Sequence, residues 1–188
     1  MKPSATSNEL KARPAACAGR FYPADPKALR QMVTSLLSSA KTPDGPAPKA
    51  IIAPHAGYDY SGPVAASAYA RLQSARDTIK RVVLIGPAHY AEFSGLAASS
   101  ADAFSTPLGS VSVDENAIAQ LHFLPQVKFF DQAHEPEHCL EVHLPFLQAV
   151  LDGFTLVPML IGDVRDDHSE VRRAIDVFPA VTQTKLSD

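Results

Sequence analysis

Two histidines in this chain follow the same kind of break. "IIAPHAGY" (51–58) and "VLIGPAHY" (83–90) each set an apolar run before a proline, with His55 or His89 within the next two residues. Neutral imidazole is the commonest side-chain ligand for zinc, copper and iron. In open α/β sheets, ligands gather at the carboxyl ends of strands. A single strand-end histidine is more often a cap on a loop carbonyl. The repetition is what makes His55 and His89 candidates for two legs of one metal site.

A third cluster is "HEPEHCLEVHLPFL" (134–147). Read as a helix, it puts His138 and Glu141 at i and i+3 on one face, a relation that serves carboxylate metal sites in bundles. Glu137 and Glu141 then lie four apart, and His143 points elsewhere. The competing reading is an ordinary amphipathic helix start, with Glu135 and Glu137 at the N-terminal dipole and Leu140, Leu144 and Leu147 on the core. Cys139 falls about 100° around from His138, which argues against a Cys–His nucleophilic pair.

Buried strands are predicted at 51–53, 81–85 and within "FTLVPMLIGD" (154–163), with short strands in "GLAASS" and "GSVSV" around the turn "STPLG". Between them, "ADPKALRQMVTSLLSSAK" opens with Asp25 as N-cap and Pro26 at the first helical position. "TPDGPAP" (42–48) reads as a linker. Further helices are predicted over 62–76, from Asp114 through "ENAIAQLHFL", over 135–151 with a kink at Pro145, and over "DDHSEVRRAIDVF". Strands alternating with helices predict an α/β fold: a central, mostly parallel or mixed sheet with helices on both faces.

The chain has 188 residues and 46% apolar content, enough for one ordinary domain. Residues 1–12 read as a flexible N-terminus and 13–188 as a single domain. A net charge of −3 leaves no electrostatic footprint for nucleic acid, and no basic run suits an anionic membrane. The longest apolar stretch, 154–162, is too short to span a bilayer, and the N-terminus lacks the apolar segment of a signal peptide. The expectation is a soluble cytoplasmic protein, with Cys17 and Cys139 as free thiols in a reducing compartment.

Taken together, "RPAACAGRFYP" (13–23), "IIAPHAGYDYSGPVAASAYA" (51–70), "VVLIGPAHY" (82–90), "FSTPLGSVSVD" (104–114), "EHCLEVHLPFLQ" (137–148) and "LVPMLIGD" (156–163) resemble the Memo family in order and spacing. Its bacterial and archaeal members are also called AmmeMemoRadiSam system protein B. The resemblance implies a sheet flanked by helices like that of class III extradiol (LigB-type) dioxygenases, which hold non-haem Fe(II) with two histidines and a carboxylate. For Memo proteins it implies two histidines plus a cysteine, with iron or copper as the metal. By position the histidines are His55 and His89. Phe21 falls where the family places an aromatic near the pocket, and His138 and Glu141 match a block that would support the site from behind.

Family members run on past the point where this sequence stops, through a "SSDxSH"-like segment and the cysteine ligand. The expectation is therefore a C-terminally incomplete domain with an exposed sheet edge open to self-association. Three function classes follow. One is a metal-dependent redox enzyme of dioxygenase ancestry. Another is a non-catalytic binding or adaptor protein that takes an anionic or peptide ligand in the same pocket, with Arg20 meeting the anion. The third is metal-assisted hydrolysis with Glu141 as base.

Overall fold

In the computed structural model, the described residues are 10–41, 45–121 and 123–163. In chain order they form β1 (Ala12–Arg13), α1 (Pro26–Ser39), α2 (Tyr58–Tyr69), β2 (Arg81–Pro87), β3 (Leu96–Ala98), β4 (Ala103–Thr106), β5 (Gly109–Ser112), α3 (Glu115–Leu121), β6 (Val127–Phe129), α4 (Asp131–His134), α5 (Leu144–Val150) and β7 (Thr155–Ile161). One short 3-10 segment follows α2, and another, Glu141–His143, leads into α5.

The α/β expectation holds, with a mixed sheet. Its order is β2-β7-β3-β6: β2 and β7 are parallel, β7 and β3 antiparallel, β3 and β6 parallel. A second sheet, β1-β4-β5, is tied to the first where Val113 bridges Leu156. β7 is central to the larger sheet and buried on both faces, which is why "TLVPMLI" is a continuous apolar run without alternation. Among the described residues no helix is long and apolar enough to cross a membrane.

The two capped helices form as their sequences dictate. Asp25 accepts a hydrogen bond from the Ala28 amide at 2.8 Å, and Leu29, Val33 and Leu37 bury one stripe of α1. Asp114 accepts from the Ala117 amide at 2.9 Å and starts α3. α1 packs closely on α2 because Gly62 has no side chain: a Cβ there would sit 2.9 Å from Leu36 Cδ1.

Three predicted elements differ. Residues 51–53 belong to no strand among the described residues; Ile51 and Ala53 pack on the core while Ile52 is fully exposed. So short an apolar run cannot tell a buried strand from a chain laid one-sided on the core. The helix predicted from residue 62 begins at Tyr58, with Pro63 inside it, and turns 3-10 at Ala70. The helix predicted over 135–151 is a turn, then the 3-10 segment, then α5, with Pro145 in its first turn rather than at a kink. Sequence periodicity also missed β4, β6 and α4, each only three or four residues long. The helix expected over "DDHSEVRRAIDVF" and the chain's end lie outside the described residues, as do residues 1–9, while Ala12 already pairs in β1.

Candidate metal centre

Three turns deliver three imidazoles to one place. His55 precedes α2, whose N-cap is Gly57. His89 follows the end of β2 at Pro87. His138 lies in the turn between α4 and the 3-10 segment. The ring centroids of His55 and His89 are 5.2 Å apart, those of His89 and His138 are 4.5 Å apart, and those of His55 and His138 are 5.9 Å apart. One nitrogen from each ring falls within 4.8 Å of the others, a spacing that lets one ion reach all three.

The turn at 135–140 is not helical, so His138 and Glu141 do not share a helix face. His138 stands with His55 and His89. Glu141 is fully buried and accepts from the amides of Ala16 and Cys17, the Cys17 thiol, the Tyr22 hydroxyl and Arg13. With both oxygens taken and no solvent contact, it is not available as a base for hydrolysis.

Glu137, which the sequence set four residues from Glu141 or at a helix dipole, holds the centre together. Its Oε1 accepts from His89 Nδ1 at 2.9 Å, from the His138 amide at 2.9 Å and from the Cys139 amide at 3.0 Å; its Oε2 accepts from the His89 amide at 2.6 Å. Burial opposes its ionisation, but these hydrogen bonds outweigh burial and hold the carboxyl below its ordinary value. An ionised carboxylate only accepts, so His89 Nδ1 carries the proton, and in the neutral ring the lone pair lies on Nε2. The signal available in the sequence was local: an acid directly before a histidine.

Burial, followed by repulsion from His89, lowers the pKa of His55. Burial also lowers His138, against the pull of Glu137. Both are therefore held toward the neutral, ligating form. His138 Nδ1 is buried without an aligned hydrogen-bond partner, although Glu137 Oε1 lies 3.2 Å away. Three imidazoles whose nitrogens converge, two of them held toward the neutral form, fit a transition metal. A second grouping, His89, Glu137 and Cys139, also has ligand spacing. It fits less well: Glu137 already serves four donors, and burial pushes the Cys139 thiol well up, away from the thiolate that binds metals.

The walls are aromatic. The Phe21 ring lies 4.5 Å from that of His138, and Tyr90 meets His138 edge-on at 5.8 Å. His89 is 36% exposed at its side chain and His138 12%, so the centre opens to solvent on the His89 side. Arg20 is exposed.

A family model described as "Memo-like protein" matches residues 13–179. The chain is 41% identical over 160 residues to a MEMO1 family protein of Methanopyrus kandleri, covering 80% of this chain and 56% of that one. It is 37% identical over 161 residues to Protein MEMO1 of Danio rerio, covering 83% and 53%. With Protein MEMO1 of Homo sapiens the identity is 33% over 169 residues, covering 87% and 56%. The chain thus spans about half the length of the relatives it matches.

Proposed function

The chain belongs to the Memo family, and from that premise we propose that His55, His89 and His138 hold a non-haem iron or copper ion at which a small molecule undergoes redox, dioxygenase-like chemistry. The observation that supports this reading most directly is the convergence of the three imidazoles, with Glu137 fixing the tautomer of His89. Such an ion would supply open coordination positions and redox chemistry toward dioxygen, since three protein donors do not fill its coordination sphere.

The protein's own part is positional. Glu137 keeps the proton on His89 Nδ1, so the lone pair of Nε2 is free to ligate. Low basicity at His55 and His138 keeps protons from competing for the site. Phe21 covers one side of His138, and the more exposed His89 leaves a route for an incoming molecule.

Anaerobic titration with Fe(II) and with copper, read by metal stoichiometry and then by oxygen consumption with catechols, tests the proposal. Binding of one ion that is lost in H55A, H89A and H138A, with turnover in the parent, is the expected result. Stoichiometric binding without oxygen uptake would favour the binding or adaptor reading. No histidine-dependent binding of either metal would overturn the proposal.

A further inference from the structure

Arg13 is almost fully buried, far in sequence from the histidines, and has no place in the ligand set. Its guanidinium collects one stretch of backbone. Nε donates to the His134 carbonyl at 2.7 Å, and Nη2 donates to the carbonyls of Glu137 at 2.5 Å and Glu135 at 3.4 Å. Nη1 pairs with Glu141 at 2.5 Å, and the guanidinium lies 5.2 Å from the Phe104 ring centre. Three carbonyls from the turn that carries Glu137 and His138 therefore end on one side chain. A rigid, planar five-donor fork can do this; a lysine ammonium cannot reproduce the spread.

The same knot holds the opposite wall. Glu141 also binds Cys17 and Tyr22, and the Phe21 carbonyl between them accepts the Tyr58 amide at the start of α2, three residues after His55. We propose that Arg13 is a positioning residue of the imidazole centre, acting on His89 and His138 by fixing the backbone of Glu137. The metal part of this statement rests on the function proposed above; the positioning of His89 does not.

Two measurements on R13K separate these parts. In the metal-free protein, proton and nitrogen NMR of His89 reads whether Nδ1 still carries a slowly exchanging proton shared with Glu137. Competition between the protein and a chelator for Co(II), used as a spectroscopic probe, reads affinity. Wild type is expected to show the protected His89 proton, and R13K to lose it and to bind Co(II) about 10–100-fold more weakly, as when a group supporting a ligand is removed. L29A, which hollows the buried stripe of α1, is expected to melt earlier and change neither signal.

If wild type binds no Co(II), the metal reading fails, and the His89 proton still decides the positioning role. A folded R13K with an unchanged His89 proton would overturn it, as would equal loss of that proton in L29A. R13Q serves if R13K does not fold; failure of both to fold would assign Arg13 to the fold as a whole and equally overturn the claim.

Discussion

Glu137 and His89 are joined twice, the carboxylate taking the His89 backbone amide on one oxygen at 2.6 Å and the ring Nδ1 on the other at 2.9 Å. This two-point grip fixes both where the ring begins and how it is rotated. In E137Q the side chain keeps one accepting oxygen for four donors, and its amide turns a second donor toward them. Metal affinity is expected to fall about 10–100-fold, measured by chelator competition. Stability is expected to drop by about 1–3 kcal/mol, measured by urea unfolding, for each buried donor left unpartnered.

His138 tests which grouping holds the ion. H138A is expected to lower affinity as much as H55A does, by at least about tenfold, because one nitrogen of each ring lies within 4.8 Å of the others, within reach of a single ion. C139S is expected to change affinity less than threefold, roughly, since its thiol is buried and held in the protonated form. Isothermal titration with one metal across the three variants checks both outcomes. A loss in C139S with H55A and H138A unchanged would move the site to the His89, Glu137 and Cys139 group.

Acid should weaken the fold through two other histidines. Burial lowers His134 and His143 to about 4, against an ordinary value of 6.5. Between those values the unfolded chain binds the protons and the folded chain does not, so stability falls as the pH drops. Each group contributes fully above about pH 6.5, and the contribution is gone below about pH 4, an amount on the order of 3 kcal/mol per residue. Urea midpoints in H143Q should therefore depend less steeply on pH in that window than those of the parent. An unchanged slope would show that His143 titrates normally in the fold.

Gly86 lets the site's turn lie against β2. A Cβ there would sit 2.7 Å from Cys139 Sγ and 3.1 Å from Leu140 Cδ2. G86A is expected to cost about 1–3 kcal/mol by overpacking. It should also weaken metal binding, because Cys139 is the neighbour of His138. Thermal melts and metal titration read both effects; G109A, with nothing within 4 Å of its Cβ but a positive φ of 120°, is expected to cost stability and leave binding intact.

His55 and His89 were legible in the sequence because each follows a strand-like apolar run and a proline, a pattern that survives even though only the second run is a strand. His138 was visible as a residue but misread in its setting. Periodicity treats "EHCLEVH" as helix, whereas the Glu137 carboxylate captures the amides of His138 and Cys139 and bends the backbone into a turn. The mixed sheet was within reach of the pattern of strands and helices. The Arg13–Glu141 pair was not, because its partners lie on segments more than a hundred residues apart, and a local pattern cannot encode who meets whom across that distance.

The three imidazoles arrive on turns that are remote from one another along the chain, and only the finished sheet and helices bring them together. An unfolded chain does not hold these three rings together, so an ion that needs all three binds the native state in preference. Its free energy adds to that of folding, by about 2.7 kcal/mol at a concentration a hundredfold above its dissociation constant. Metal supply would then set how long the chain survives proteolysis as well as what it can do.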